Sequence, residues 1–408
     1  MGKDFRSPYR NKSEQWFNMN DLDLMTEIEK LAHVLRVAPD RLQYLRSLTL
    51  DDFRNLNQSI SDRLLTDSSD VWAKLAGVAK FMPNFLNAQV AKSLLGPNIT
   101  ANLTYHVDVK QAVSIAKSLN IEFLAQVAEN LVPARAQHII QAFPMDVLVS
   151  LTRILTREKK YFTMGAFVDY MDHDKIIALS REIPDTESLL RVGLYTQNKA
   201  HVAKLADSFS DEKVVEMIET AQRKDLWPSL IGLLAHFTES QHQRLAGLVG
   251  RVSVDALLGM VPFAIEHGAL VHIFAFLKHL SSDMYAHMAT ICAKLDSEAL
   301  SKLIHAADES SQLPTALKIA DYLAERDVER LAAMSHRYDD ELLKRVILTA
   351  HAENLIPFGL RLLALLPDAE IPRAERIAAT LDRKVIADAQ AQIGQSLLKE
   401  RLGWLKKL

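Results

Sequence analysis

Residues 212–237 (EKVVEMIETAQRKDLWPSLIGLLAHF), 255–280 (DALLGMVPFAIEHGALVHIFAFLKHL), 298–323 (EALSKLIHAADESSQLPTALKIADYL) and 341–366 (ELLKRVILTAHAENLIPFGLRLLALL) begin 43 residues apart, and a degenerate fifth copy begins at Lys384. A fixed period of this length marks units that stack on one another instead of folding around one central core. An acidic residue opens each copy, where it favours the positive end of a helix dipole. Val214, Leu257, Leu300 and Leu343 share one position, and Ala221, Ala264, Ala307 and Ala350 another, where a small side chain lets a partner helix approach closely. Pro228, Pro314 and Pro357 fall where a second helix should begin, because a fixed φ and a missing N–H suit a first turn. Phe237, Leu280, Leu323 and Leu366 close the unit.

Between these helix pairs lie shorter segments, SSDMYAHMATICAKLD from Ser281 and AERDVERLAAMSHRYD from Ala324, with apolar residues at helical spacing. The expected architecture is therefore all-α: an α-solenoid, a superhelix of roughly 43-residue three-helix repeats of the armadillo or HEAT kind. Upstream the period slips. DVLVSLTRILTREKKYFTMGAFVDYM from Asp146 and the shortened ESLLRVGLYTQNKAHVAKLADSF from Glu187 keep the two-helix form, but the gap to Glu212 has no room for the short helix, which predicts a local change of superhelical direction. Three regions follow: an N-terminal arm over residues 1–20, divergent helical repeats over 21–143, and the regular array with a C-terminal capping helix over 144–408. In the second region helices should start near Asp51, Asp70 and Asp108, and residues 95–106 (LGPNITANLTYH) should interrupt the pattern.

Composition agrees with this. Hydrophobic residues make up 49% of the 408, and only 13 Gly and 13 Pro are present, too few for the turns of a sheet-rich protein of this length. The net charge of -3 implies no general attraction to nucleic acid or anionic lipid. Cys292 is the only cysteine, which excludes an intrachain disulfide and any multi-cysteine metal centre and points to a reducing cytoplasm. The polar N-terminus MGKDFRSPYRNKSEQWF lacks the apolar core of a secretory signal, and Arg6 breaks the myristoylation pattern. The most apolar stretch, residues 256–277, is interrupted by Glu266, His267, Gly268 and His272, so it reads as two buried helices and a turn, not a membrane span.

Residues 127–151 (VAENLVPARAQHIIQAFPMDVLVSL) and 172–184 (DHDKIIALSREIP) resemble the cytoplasmic N domain of MgtE-type magnesium channels, in which short helices carry a recurring leucine, proline, arginine-alanine rhythm. The resemblance covers about a quarter of the chain. It implies a right-handed helical superhelix, similar to the armadillo-like modules of the flagellar switch protein, and a bacterial source. No paired CBS domains and no five-helix membrane segment follow, so it implies no transport, and no positions match the family's magnesium-sensing carboxylates.

The chemistry-bearing residues yield no site. His236 and His242 are six apart, and His267 and His272 five apart, neither of which places two ligands on one helical face. Asp172, His173 and Asp174 precede an apolar-periodic run and read as an N-cap with first-turn acids. Cys292 shares a helical face with Met288 and Leu295 and reads as a buried, unreactive thiol. No phosphate-binding loop, nucleophile elbow or kinase signature occurs. No catalytic, cofactor-binding or metal-ligating residue is therefore assigned, and no cofactor is expected. Phe5, Arg6, Tyr9, Arg10, Lys12, Trp16 and Phe17 make the N-terminal arm aromatic and basic, suited either to packing on the first helix or to docking a partner or a second copy of the chain.

The expected function is a non-catalytic scaffold or adaptor that presents an extended helical surface to a protein partner. Two alternatives stand beside it: a module responsive to a divalent cation or small ligand, and an enzyme or apolar-ligand binder with a pocket enclosed by its helices.

Overall fold

The computed structural model describes residues 19–35, 37–66, 69–393 and 401–405. Among them every regular element is helical: 26 α-helices and six short 3-10 or π segments, with no strand. The 43-residue spacing of the sequence is a spacing of helices. First helices occupy Asp211–Lys224, Val254–Glu266, Ser297–Glu309 and Asp340–Ala352, and Arg383–Ile393 begins a further triplet. Second helices occupy Trp227–Leu234, Leu270–Leu277, Leu313–Asp321 and Ile356–Ala364. Third helices occupy Glu239–Leu248, Ser282–Lys294 and Glu325–Ala333, and the fourth of the series is the pair Asp368–Glu370 and Ile371–Ala378. Pro228, Pro314 and Pro357 stand in the first turns of their second helices, as expected. One apolar core runs without a break from Leu190 to Phe358, through all four first helices.

Two local devices set these boundaries, and both repeat every 43 residues. The acidic residues expected to open the first helices lie one turn position inside them. The caps are instead Ser210, Ser253, Asp296 and Asp339, whose side chains accept the backbone N–H three residues on at 3.3, 3.2, 2.7 and 2.7 Å. Each such bond satisfies an otherwise orphaned donor and stabilises the helix by about 1 kcal/mol.

At the other end, Asp225, Gly268, Ser311 and Asn354 adopt left-handed backbone conformations with φ between 53° and 63°. The residue after each one donates its N–H to the carbonyl of Ala221, Ala264, Ala307 or Ala350, at 2.6–2.8 Å. This is the six-to-one bond of a Schellman terminus, and it turns the chain directly into the second helix. Lys159 does the same upstream, with φ 57° and a bond from Lys160 N–H to Leu155 O. The four alanines are at most 4% exposed, so their small side chains sit in the core at the point where the chain turns back.

Arginines on the third helices tie each triplet to the one before. Arg244 donates to the carbonyls of Ala206 and Phe209, Arg330 to those of Cys292, Ala293 and Leu295, and Arg373 to those of Ser335 and Tyr338. Arg244 and Arg373 also pair with Asp211 and Asp340. At the equivalent place in the remaining triplet stands His287, whose buried Nε2 has no hydrogen-bond partner.

Upstream, Met145–Arg157, Tyr161–Val168 and His173–Ser180 form a triplet of the same kind, preceded by three ten-residue helices starting at Val109, Ile121 and Pro133. The sequence placed the missing helix between Glu187 and Glu212 wrongly. The short third helix is present there, as Lys199–Ala203 and Lys204–Ser208, and its end accepts the Arg244 clamp. What is absent is the left-handed turn: the single helix Thr186–Tyr195 replaces the first and second helices of other triplets.

Residues 95–106 are likewise not an interruption. Gly96 takes φ 74° to leave a π-helical turn, Ala91–Leu95, and the helix Gly96–Thr104 starts with Pro97 in its first turn. Helices do begin near the three expected acidic residues, at Leu50–Thr66, Ser69–Ala79 and Val109–Ser118, and Asp108 caps the last. Residues 256–277 fold as two helices joined by Gly268, as read from the sequence, and none of the described helices is long and apolar enough to cross a membrane.

The N-terminal helix Met19–Leu35 packs with Leu42 and Phe53 in a small core of its own. It also reaches far along the chain: Gln197 Nε2 donates to Glu27 Oε1 at 3.2 Å, and Glu27 pairs with Lys30 at 3.0 Å within the buried contact. Of the C-terminal amphipathic segment only residues 401–405 are described. Leu402 and Leu405 are fully buried against Leu360, Ala364 and Ile393. The aromatic and basic arm residues, from Phe5 to Phe17, lie outside the described residues.

Candidate functional site

Two features of the surface and interior depart from what folding alone requires. The first is a set of exposed apolar residues around the turn between Ser69–Ala79 and Asn84–Val90. Val78, Phe81, Phe85 and Leu94 are 57%, 91%, 63% and 78% exposed, and Leu75 and Leu86 join them. Single exposed apolar residues are ordinary, but six within twenty positions are more than folding alone requires.

The tip is held from beneath by polar groups. Asn87, itself buried, donates through Nδ2 to the carbonyls of Ala79 and Met82 at 2.9 and 3.2 Å. Gln111 Nε2 donates to the same Ala79 carbonyl at 2.7 Å, and Asn84 Nδ2 to Ser114 Oγ at 2.6 Å. The exposed phenylalanines thus project from a fixed turn. Around them stand Lys74, Lys80 and Lys92, all exposed, and no acidic residue occurs between Asp70 and Asp108. In a chain with 51 acidic residues, a segment of this length with lysines and no acid is locally basic as well as apolar. Reading the sequence for helical periodicity passed over it, although the acid-free run around FMPNFL was the available signal.

The second feature is an apolar cavity of about 270 Å3 in the C-terminal triplets, lined from Leu257 to Ala389. Its origin is visible in the 43-residue register. At one second-helix position the chain has Leu230, Ile273, Ala316 and Gly359, and at another Leu234, Leu277, Ala320 and Leu363. Large aliphatic side chains fill the array where the early triplets meet, and their replacement by Ala316, Ala320 and Gly359 leaves space in the later ones. At ~24 cal/mol per Å3, leaving about 270 Å3 empty costs on the order of 6 kcal/mol, an upper bound because half-buried Ala316 and Ala320 leave the cavity open on one side. Its charged margin groups are paired, whereas the buried Tyr338 Oη, also in the lining, has no hydrogen-bond partner. Arg373 pairs with Asp340 and Glu370, and His351 Nε2 lies 2.9 Å from Asp388.

The residues singled out by chemical type are placed separately. Cys292 lines the cavity. Although the residue keeps some accessible surface, burial of the sulfur pushes its thiol up to about 11, so it stays protonated and unreactive at neutral pH. His267 stacks on Phe263 with ring centres 4.0 Å apart and bonds to the Phe263 carbonyl. His236, His242 and His272 come within electrostatic range of one another, and burial together with the other two pushes His272 below its ordinary value. Asp172 takes the N-cap position of His173–Ser180, but its side chain makes no capping bond, and His173 stacks on His201 at 5.6 Å. Among the described residues no three His, Cys, Asp or Glu side chains converge as metal ligands would. Ser188 approaches Tyr161 Oη at 3.2 Å, but its hydroxyl is bonded to Asp185, the cap of its own helix, and it is buried.

Buried carboxylates gather where the N-terminal helix meets the body of the protein. Burial pushes Asp169 and Glu29 above the usual carboxylate range, although Asp169 accepts the N–H groups of Asn198 and Gln197 and Glu29 is bonded to Tyr195. Glu27 and Glu29 link the helix to Gln197 and Tyr195, and Asp169 holds the backbone of residues 197 and 198.

The chain matches no model of a known protein family, and no curated protein or solved structure is significantly similar to it.

Proposed function

We propose that the chain is an α-solenoid scaffold of armadillo or HEAT design that binds a partner protein through the basic, apolar face around Phe81 and Phe85. The observation that carries this is the exposure of Phe81, Phe85 and Leu94 in a segment that holds three exposed lysines and no acid between Asp70 and Asp108. The matching occupant is an acidic amphipathic helix: its apolar side covers the phenylalanines and its carboxylates meet Lys74, Lys80 and Lys92. Burying each large side chain contributes roughly 1.5–3 kcal/mol, enough in sum for a specific contact. Asn87, Gln111 and the Asn84–Ser114 bond hold the turn beneath the face, which favours a preorganised contact. The single unreactive cysteine fits work in a reducing cytoplasm.

The test replaces Phe81 with a photo-crosslinking phenylalanine analogue in the full chain, in its native cell. One partner protein crosslinked through an acid-rich segment, with the crosslink lost in Phe85→Asp, is the expected result. Crosslinks to lipid alone, accompanied by binding to vesicles of phosphatidylcholine and phosphatidylglycerol, overturn the protein reading in favour of a membrane. Crosslinking that Phe85→Asp leaves unchanged overturns the face itself.

A further inference from the structure

We infer that the cavity in the C-terminal triplets is a binding site for an uncharged, hydrocarbon-rich small molecule. The inference is independent of the docking face, which lies on other residues and far away in the chain. Its first support is that the space is written into the sequence at particular positions. The second-helix register holds Leu or Ile until the third triplet, then Ala316, Ala320 and Gly359, which together remove roughly ten side-chain carbons relative to Ile273 and Leu277. A packing fault would be scattered, whereas these three positions border one cavity.

Its second support is the absence of any available charge. The guanidinium of Arg373 donates to Asp340, Glu370 and the carbonyls of Ser335 and Tyr338, and His351 is taken up by Asp388. A carboxylate or phosphate ligand would have to break one of these pairs, while an uncharged chain or ring system needs none of them. Walls that are mostly apolar, with Leu and Ile the commonest residues, hold water poorly, so the space favours an apolar occupant over solvent. Its third support is access: Ala316 and Ala320 keep partial exposure, so a ligand can enter without unfolding the array.

The experiment uses the full chain, Nile red as a neutral fluorescent probe, and dodecanol as competitor. The expected result is saturable, blue-shifted emission that dodecanol displaces. Combined Ala316→Leu and Ala320→Leu substitution, which restores the residue type of the earlier triplet at these positions, should weaken probe binding about tenfold or more and raise the melting temperature. Phe81→Asp with Phe85→Asp should leave probe binding intact. No saturable binding by the native chain overturns the inference, as does binding that survives the cavity-filling pair or disappears with the Phe81 and Phe85 variant. Should the filled variant fail to fold, Gly359→Ala carries the test. A Cβ there meets nothing nearer than the Ala350 Cβ at 3.8 Å, so the fold tolerates it. Weaker probe binding then supports the site, and unchanged binding overturns it.

Discussion

Arg330 Nη1 donates to the carbonyl oxygen of Leu295 at 2.9 Å, from the third helix of one triplet to the end of the third helix before it. The bond joins residues 35 apart in sequence and satisfies a carbonyl at a helix terminus, where no backbone donor is left to reach it. Its counterparts at Arg244 and Arg373 make it a property of the array, and His287 shows what the array lacks without it.

Arg330→Ala should lower stability by about 1–3 kcal/mol, because it leaves several carbonyls without their charged donor. His287→Arg should act in the opposite direction by about 1 kcal/mol, as it replaces an unpartnered ring nitrogen with donors aimed at the end of the preceding helix. Urea denaturation midpoints of the two variants, read against the native chain, check the pair. A stabilising Arg330→Ala, or a destabilising His287→Arg, would contradict the clamp.

The left-handed turns offer a second test. Ser311 holds φ 57° at the position where Gly268 holds φ 63°. An L-residue in this region is strained by roughly 1–2 kcal/mol, partly offset in glycine by its greater loss of chain freedom on folding. Ser311→Gly should therefore gain about 0.5–1 kcal/mol, and Gly268→Ala should lose about 1 kcal/mol. Both are read from thermal unfolding, and equal effects of the same sign would refute the assignment.

Glu29 and Asp169 predict a pH dependence confined to the N-terminal junction. Burial raises both folded values above the ordinary ones, so the folded chain binds these protons more tightly than the unfolded chain. Their unfavourable contribution is full above the raised values, declines as pH falls through them, and is gone below the ordinary carboxylate range. Glu29→Gln keeps an acceptor for Tyr195 and removes the charge. Its stability advantage over the native chain should be largest at neutral pH and shrink on acidification, as measured by hydrogen exchange of the amides in Met19–Leu35. An advantage that grows with acid would reverse the sign and refute the assignment.

The sequence by itself determined much of this protein. The positions of the first and second helices from Asp211 onward follow from the spacing of Ala221, Ala264, Ala307 and Ala350 and from the prolines, because periodic apolar residues and turn chemistry act over a few neighbours. The same logic failed where the decisive partners are distant or where one residue has two uses. Gly96 and Pro97 read as a break and instead start a helix, since Gly96 supplies the left-handed φ that ends the preceding turn and Pro97 fits a first helical turn. The sequence shows a second helix after Glu187, but only the clamp from Arg244 to the Ala206 and Phe209 carbonyls identifies it as a third helix, because that contact comes from the next triplet. Only the tertiary structure decided that Arg244, Arg330 and Arg373 are stitches and not solvated charges, because their acceptors lie 35 to 38 residues away. It alone turned Ala316, Ala320 and Gly359 from ordinary helix residues into the walls of a cavity. It alone separated Phe81 and Phe85, held outward by Asn87, from the many phenylalanines and leucines that the core absorbs. A linear pattern specifies which side chains are apolar, whereas what they touch depends on segments that the fold brings together.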